Sequence, residues 1–254
     1  MHAERFESAL WQTSSLLLAK DGEAVLVDPG ISTQEVARLA DRADELGARV
    51  VAILATHADW DHVCGIAAFP DAEAAMGEGS AARVESGGSW DRIQRAASEY
   101  GLDVAGPPRV DRRLEAGRAH RVGPFAVETL ALPGHTADGV AYRIRELDLL
   151  AVGDHLSTVE FPFVSSPASY RGTLAALIDL LRHDPPARVV AGHGPEHDAA
   201  EALAVAEADL DYLWRLHDAV LRGTAPPEPP RPCADDLAEM LGVNVEAQRA
   251  ELGL

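Results

Sequence analysis

The chain has 254 residues, 47% of them hydrophobic, which is enough for one large domain or two small ones with a substantial core. Its 41 acidic and 22 basic side chains give a formal charge of −19, so nucleic acids and anionic membranes are disfavoured as partners. No stretch approaches the roughly 20 apolar residues of a membrane span, and residues 1–7 lack an export signal, so a cytoplasmic location is expected. Cys64 and Cys233 are too few to indicate a disulfide framework, and we expect both to be free thiols.

The first elements predicted along the chain are strands and one helix. Apolar runs at 14–20 and 23–28 flank an Asp-Gly pair, which is a strong hairpin signal. Apolar residues at helical spacing predict a helix over 33–47. A further strand is predicted over 49–54, and it runs into Thr56 and a polar loop.

That polar loop holds four potential metal ligands within six positions, namely His57, Asp59, Asp61 and His62. In an extended segment His57 and Asp59 point the same way, because side chains alternate with period two. A turn beginning near Trp60 would bring Asp61 and His62 beside them. Since open α/β sheets hold ligands at the carboxyl ends of their strands, the sequence predicts a metal site here.

Three later strands also end on potential ligands, which are His135, Asp154 and His193. No chemistry is assigned to residues 64–108. The remaining predicted elements are strands at 72–76, 119–122, 124–132, 139–145, 148–152 and 187–191 and helices at 89–100, 170–182 and 198–222.

The C-terminal region differs in composition from the rest of the chain. Residues 224–232 are rich in proline and predict an extended linker. Two short helices are predicted around Gly242. We therefore expect a main domain over 1–222, followed by a linker and helical segment over 223–254 that packs on the same domain.

The seven candidate ligands are imidazoles and carboxylates, with no thiolate among them. Structural zinc sites usually use cysteine, whereas catalytic sites favour His, Asp and Glu and keep one position open for water. Seven ligands suffice for two cations, and two divalent ions about 3.5 to 4 Å apart can hold a bridging hydroxide as nucleophile. The ligand set therefore favours catalysis over a purely structural role.

These motifs resemble the metallo-β-lactamase superfamily of metallohydrolases. Its signature is a His-x-His-x-Asp-His loop after a strand, then separate His, Asp and His ligands, which match 57–62, 133–136, 153–154 and 192–194 here. Over roughly residues 10 to 200, the resemblance implies an α+β fold, a four-layer αβ/βα sandwich with its site at one edge between two sheets.

The same resemblance implies two divalent metal ions, zinc in the usual case, and a metal-bound hydroxide that attacks the substrate. Asp61 would also orient that hydroxide and accept a proton. The implied assignment is His57, Asp59 and His135 to the first metal, Asp61, His62 and His193 to the second, Asp154 as a bridge and Asp28 as a support behind the ligands.

Asp59 departs from the superfamily pattern, because a histidine usually stands at this position. The aspartate exchanges a neutral nitrogen for a charged and harder oxygen. Three carboxylates, two divalent cations and one hydroxide sum to zero, where the usual site carries +1. We expect this change to lower the Lewis acidity of the first metal and to favour Mn, Fe or Co relative to zinc. Loss of the first metal is the alternative.

Several neighbours of the motifs are candidates for lesser roles. His155 follows a ligand and is expected behind the site or in the pocket lining. Trp60 is expected to be structural or a pocket wall. Substrate-facing loops of the superfamily make Phe161, Phe163 and Tyr170 candidates for the substrate pocket.

The function expected from these features is hydrolysis of a small ester, thioester or lactone. A phosphodiesterase or nuclease of the same fold is the alternative enzyme, and a non-hydrolytic metal-binding or redox module is the alternative without hydrolysis. A thioesterase of the glyoxalase II kind remains open, although Arg215 and Arg222 are the only basic candidates nearby in the C-terminal region. A Ser-His-Asp mechanism is disfavoured because no Gly-x-Ser-x-Gly elbow occurs. The substrate and the oligomeric state, including a homodimer, are left open by the sequence.

Overall fold

The strands form two six-stranded sheets in the computed structural model, which describes residues 1–254. In the first sheet, β1, β2 and β3 are antiparallel, and β3, β4, β5 and β6 are parallel. Its strands are β1 (His2–Glu7), β2 (Ser14–Lys20), β3 (Glu23–Val27), β4 (Arg49–Ala55), β5 (Glu73–Gly77) and β6 (Arg112–Leu114). The helices that accompany them are α1 (Thr33–Glu45), α2 (Trp60–Val63), α3 (Glu78–Glu85) and α4 (Gly88–Tyr100).

The second sheet has the order β12, β11, β10, β9, β8, β7 and is antiparallel except for the pair β10 and β11. Its strands are β7 (Arg118–Val122), β8 (Phe125–Ala131), β9 (Val140–Ile144), β10 (Leu149–Ala151), β11 (Arg188–Val190) and β12 (Glu196–His197). The helices of this half are α5 (Pro167–His183), α6 (Ala199–Arg222) and α7 (Met240–Leu252).

Alternation along the strands produces three apolar layers. In β2, Leu16 and Leu18 point into the core between the two sheets, whereas Leu17 points to the core under α1. The core between the sheets also contains Phe125 and Tyr142 from the second sheet. A third core lies between the second sheet and the helices α5 and α6. The predicted four-layer αβ/βα sandwich of the α+β class is therefore confirmed.

The predicted hairpins, helix α1 and the strands that end on ligands are all present. Helix α1 begins at a capping box, in which the Ser32 hydroxyl accepts from the Glu35 amide and the Glu35 carboxylate accepts from the Ser32 amide. No prediction was made for β1, β6, β12 or α3.

The prediction of two short helices around Gly242 is wrong, because α7 runs through this glycine as one helix after a short 3₁₀ turn at Asp235–Leu237. Asn244 and Gln248 are fully buried on the face of α7 that meets the rest of the molecule. Both cysteines are free, as expected. None of the helices combines the length and apolar character needed to cross a membrane.

Candidate metal centre

The loops that follow β4, β8, β10 and β11 meet at one edge of the sandwich. His57 and Asp59 lie in the loop after β4, and Asp59, with extended backbone, occupies the N-cap position of the single turn α2, which carries Asp61 and His62. The short β-bridge between Thr13 and His193 joins the start of β2 to the last ligand loop. The seven side chains predicted from separate strand ends are thus brought together.

Asp154 lies at the centre of this group, with each of its oxygens facing two imidazoles. Its Oδ2 is 3.4 Å from His57 Nε2 and 3.1 Å from His135 Nε2. Its Oδ1 is 3.0 Å from His62 Nε2 and 3.4 Å from His193 Nε2. The carboxylate therefore divides the four imidazoles into two pairs.

One further aspartate completes each pair. Asp59 Oδ2 is 3.5 Å from His57 Nε2 and 3.2 Å from His135 Nε2. Asp61 Oδ2 is 3.4 Å from His62 Nε2 and 3.5 Å from His193 Nε2. The result is two clusters of donor atoms that share Asp154, and each cluster is close enough to surround one ion.

Each of the four imidazoles makes a hydrogen bond through Nδ1 that leaves Nε2 facing Asp154. His62 Nδ1 donates to Asp28 Oδ2 at 3.0 Å, and His57 Nδ1 donates to the Thr56 hydroxyl at 3.1 Å. The Nδ1 of His135 donates to the carbonyl of Phe163 at 3.0 Å, and that of His193 donates to the carbonyl of Trp11 at 3.2 Å. Such bonds fix the tautomer that binds a cation through Nε2.

The burial of these donor atoms is a second reason why they fit a pair of metal ions. The Nε2 atoms of His57 and His62 and the Oδ1 atom of Asp154 are buried without a hydrogen-bond partner. Buried polar atoms without partners are rare in proteins, and they cost free energy unless an ion or water satisfies them. Glycine is required beside them, because a Cβ at Gly192 would overlap Asp154 Oδ1.

Burial and neighbouring charges shift the pKa values of these groups in opposite directions. Burial lowers the pKa of His62, but Asp154, Asp61 and Asp28 outweigh it and raise that pKa well above its usual value. Burial likewise raises the pKa of Asp154, yet the surrounding imidazoles hold it well below the usual range. A carboxylate that stays ionised among imidazoles is what a cation site requires.

Asp28 supports the ligands from the end of β3, as the resemblance implies. Its Oδ1 accepts from the Thr56 amide at 2.8 Å, and its Oδ2 accepts from the Thr56 hydroxyl at 2.7 Å and from His62 Nδ1. The backbone of Asp28 is left-handed, with φ 49°. This one carboxylate therefore orients His62 directly and His57 through Thr56.

Asp59 has charged neighbours that sequence reasoning did not find. Arg83 donates to Asp59 Oδ1 at 2.5 Å and to Asp138 Oδ1 at 2.5 Å, and Arg92 lies 3.5 Å from Asp59 Oδ1. No chemistry is assigned to residues 64–108 from the sequence, yet Arg83 and Arg92 of this region contact a predicted ligand. The charge balance predicted for the site is also incomplete, because Asp138 and the two arginines together add +1.

A cavity of about 460 Å³ opens beside the first cluster. Asp59 and His135 line it, and Phe163 is the only predicted pocket aromatic in its lining. The full lining is Asp59, Arg83, Arg92, His135, Thr136, Ala137, Asp138, Phe163, Val164, Ser165, Met240 and Val243.

The other predicted pocket residues lie elsewhere. Tyr170 is only 1% exposed and packs against His155, with ring centroids 4.5 Å apart, so both belong to the core behind Asp154. Phe161 is buried against Phe163 and Tyr212. Trp60 packs on Trp11 and Tyr100 at the other side of the ligand loop. Tyr170 and Phe161 are buried in the core and do not line this cavity, and Trp60, half-buried in its aromatic cluster as the structural alternative expects, does not line it either.

Thr13 was also missed by sequence reasoning. Its hydroxyl is 3.3 Å from His193 Nδ1 and 3.5 Å from Asp61 Oδ2. A lone threonine before a strand carries no signal, and only the close approach of β2 to the loop after β11 reveals its role.

Comparison with known proteins confirms the superfamily that the sequence motifs resemble. Residues 9–193 match the family model of the metallo-beta-lactamase superfamily. The chain belongs to the metallo-beta-lactamase superfamily. Two relatives support this over most of the chain. A "Probable metallo-hydrolase YqgX" of Bacillus subtilis is 27% identical over 192 residues, covering 74% of this chain and 87% of that protein. A "Hydroxyacylglutathione hydrolase" of Acidiphilium cryptum is 28% identical over 228 residues, covering 87% of this chain and 82% of that protein.

Solved structures show the same superfamily fold. A metallo-beta-lactamase family protein of Thermus thermophilus, TTHA1429, superposes with a TM-score of 0.73 at 21% identity, covering 99% of this chain and 93% of that one. TTHA1623, whose crystal structure is in a di-iron-bound form, superposes with a TM-score of 0.61 at 28% identity, covering 78% of this chain and 96% of that one.

Proposed function

We propose that this chain is a metal-dependent hydrolase that cleaves small thioesters, esters or lactones. The observation that carries the proposal is the central position of Asp154, which separates two complete donor clusters beside a cavity of about 460 Å³. A volume of this size suits a small molecule rather than a polymer.

The two clusters would hold two divalent cations in the way that the superfamily resemblance implies. The first cation would take His57, Asp59 and His135, the second would take Asp61, His62 and His193, and Asp154 would be shared. When bound, such a pair supplies Lewis acidity and lowers the pKa of water. Zinc is the cation implied by the superfamily, and iron is supported by the 28% identical TTHA1623, which binds two irons.

The chain itself supplies a proton acceptor and an enclosure. Asp61 is 5% exposed and faces the centre, where its carboxylate can orient the attacking water and take up its proton. Phe163, Val164 and Met240 provide an apolar wall that displaces solvent from the substrate. Cys64 is not a candidate nucleophile, because burial raises its pKa to about 12.

Among the possible substrates, thioesters are favoured by the names of the relatives. The name hydroxyacylglutathione hydrolase describes cleavage of a thioester, and several relatives at 27% to 30% identity carry it. A purified, metal-loaded sample should be assayed with a hydroxyacylglutathione, aryl acetates, a γ-lactone and a bis-aryl phosphate.

We expect turnover of at least one carbonyl substrate, which chelation abolishes and added Zn²⁺, Mn²⁺ or Fe²⁺ restores. The Asp61→Asn variant should lose at least about 100-fold in kcat while retaining its fold, because a general base typically contributes this much. Turnover of the phosphate diester alone would support the phosphodiesterase instead. A protein that binds two metals yet cleaves none of the compounds would support the non-hydrolytic module.

A further inference from the structure

The cavity beside the first cluster has two chemically different walls. Phe163, Val164, Met240 and Val243 give the cavity an apolar part, and Arg83 and Arg92 give it a basic part. A cavity of this kind suits a ligand with a hydrocarbon part and an anionic part.

The two arginines differ in how their donors are used. Arg83 places one terminal nitrogen on Asp59 and the other on Asp138, each at 2.5 Å. Arg92 has a single long contact, from its Nη1 to Asp59 Oδ1 at 3.5 Å, and its side chain is 56% exposed. Most of the donors of Arg92 are therefore available to a ligand in the cavity.

We infer that Arg92 binds an anionic group of the substrate, a carboxylate in particular. A guanidinium can hold a carboxylate through two parallel hydrogen bonds. The Asp59 carboxylate links Arg92 to the first cluster, because Oδ1 faces the arginine and Oδ2 faces the imidazoles of His57 and His135. The anion must therefore lie a short chain away from the scissile carbonyl. This inference rests on the proposed function and specifies its substrate class.

The test compares thioesters that differ only in charge. One pair carries the variable group on the thiol side, S-acetyl-3-mercaptopropanoate and its primary amide. A second pair carries it on the acyl side, the glutaric monothioester of N-acetylcysteamine and its amide. In at least one pair we expect the carboxylate to have a KM about 10-fold lower than the amide, as a charged hydrogen bond provides. Arg92→Gln should remove this preference.

Arg95→Gln is the matched control, since Arg95 lies one turn further along α4, is exposed and contacts only the Asp91 carbonyl. It should keep the preference for the carboxylate. Equal KM values within both pairs, or a preference for the carboxylate that survives Arg92→Gln, would reject Arg92 as the carboxylate subsite. The proposed hydrolase function would still stand. If no thioester is cleaved, the proposed function fails, and calorimetric titration with hexanoate and hexanamide still tests the subsite. Weaker hexanoate binding by Arg92→Gln than by Arg95→Gln supports it, and equal binding rejects it.

A second inference comes from the ion pair of Asp59 and concerns the protein without substrate. Asp59 divides its oxygens between two tasks, since Oδ1 is held by Arg83 and Oδ2 faces the two imidazoles. Arg83 is fixed in turn by Asp138, whose Oδ2 accepts from the Ala58 amide at 2.9 Å and from the Ser80 hydroxyl at 3.0 Å. The aspartate that replaces the usual histidine thus has a rigid partner.

We propose that Arg83 is a positioning residue that makes Asp59 a one-oxygen ligand and offsets its charge. Asp59, Asp138, Arg83 and Arg92 together sum to zero, so the cluster retains the charge that a neutral histidine would give. Arg83→Met should weaken binding of the first cation by about 10-fold or more, because residues that orient ligands typically contribute 10- to 100-fold. Binding of the second cation should not change.

The measurement is competitive chelator titration of the Co²⁺-loaded protein, with cobalt absorption as the readout. In an Asp59→His background, Arg83 faces a neutral imidazole. Adding Arg83→Met to that background should leave the affinity for the first cation unchanged or make it higher. Arg113→Met, which breaks an exposed ion pair with Glu85, is the control. Equal losses from Arg83→Met in both backgrounds, or no loss with Asp59 present, would reject the positioning role. If Arg83→Met fails to fold, Arg83→Gln is used in the same cycle.

Discussion

Asp28 shows how much of the site depends on one side chain behind the ligands. Its left-handed backbone, at φ 49°, is one that Asp and Asn adopt more readily than other non-glycine residues. Its two oxygens accept three hydrogen bonds, two from Thr56 and one from His62. Replacement by asparagine keeps the backbone preference and the shape but exchanges one acceptor oxygen for a donor.

We therefore expect Asp28→Asn to fold and to bind the second cation about 10- to 100-fold more weakly, because His62 loses the acceptor of its Nδ1 proton. Metal content after dialysis against graded chelator measures this. Asp148→Asn is the control, since Asp148 has nearly the same φ of 48° but lies in an exposed turn. An unchanged affinity in Asp28→Asn would show that the hydrogen bond from His62 Nδ1 to Asp28 does not contribute to binding of the second cation.

At this scale the sequence predicted the residues that share a motif and missed those that do not. His57 to His62 are dense enough to indicate a metal site, and His135 and His193 follow strands in a recognisable order. Thr13 and Arg83 carry no local pattern, since their roles arise from contacts between distant parts of the chain. The charge sum at Asp59 was incomplete for the same reason.

Among the elements, α7 has an unexpected connection with the metal centre. Asn244 is fully buried, accepts from the Val164 amide at 2.9 Å and donates to the Pro162 carbonyl at 2.6 Å. Between these two residues, the Phe163 carbonyl accepts from His135 Nδ1. The C-terminal helix thus holds the loop that orients a ligand.

Asn244→Leu should lower stability by about 1 to 3 kcal/mol, because it leaves the buried Val164 amide and Pro162 carbonyl without partners. It should also weaken binding of the first cation more than binding of the second, since His135 belongs to the first cluster. Thermal unfolding and stepwise metal titration measure the two effects. Glu246→Gln, on the exposed side of the same helix, is the control and should change neither the stability nor the metal affinity. If Asn244→Leu lowers the stability without changing the metal affinity, α7 does not support the metal site.

The pairing of Asp209 on α6 with Arg231 in the proline-rich segment leads to a pH prediction. Asp209 is 1% exposed, and burial raises its pKa to about 7 although Arg231 opposes the shift. Since the folded pKa is above the unfolded value of 3.8, the folded state binds the proton more tightly between these values. This stabilising contribution is complete below about pH 4 and is lost as pH rises to about 7.

Urea unfolding of chelated wild type and Asp209→Asn across this range measures the effect. The free energy of unfolding of the wild type should fall relative to the variant from pH 4 to 7 and stay level above. Protonation of the metal ligands contributes equally to the free energy of unfolding of both proteins, so it cancels when the two free energies are subtracted. Parallel curves would show that Arg231 keeps the carboxylate ionised throughout.

Element boundaries were predicted well where periodicity is strong, as in α1 and the β2–β3 hairpin. Strand β1 was missed because its residues are only partly buried, so its sequence lacks the alternation of a core strand. The break predicted at Gly242 does not occur, and after this glycine the buried amides of Asn244 and Gln248 tie the continuing helix to neighbouring elements.

For the whole molecule, the candidate metal centre joins the two sheets. His57, Asp59, Asp61 and His62 follow the first sheet, whereas His135, Asp154 and His193 follow strands of the second. Bound cations should therefore stabilise the sandwich as a unit, by about 4 kcal/mol for each site when free metal is 1,000 times its Kd. We expect the thermal midpoint to rise with Zn²⁺ concentration, and the response should vanish in a variant in which Asp154 is replaced by alanine. A midpoint that is independent of metal would contradict this coupling.

The bridge between Thr13 and His193 has a consequence for how the protein matures in a cell. Thr13 and His193 are 180 residues apart in the chain, so Thr13 leaves the ribosome long before His193 does. The second cluster is therefore incomplete on the ribosome until that late stage. In the proposed metalloenzyme, a nascent chain could therefore complete its cation sites only after His193 has been synthesised and the two sheets have closed on each other.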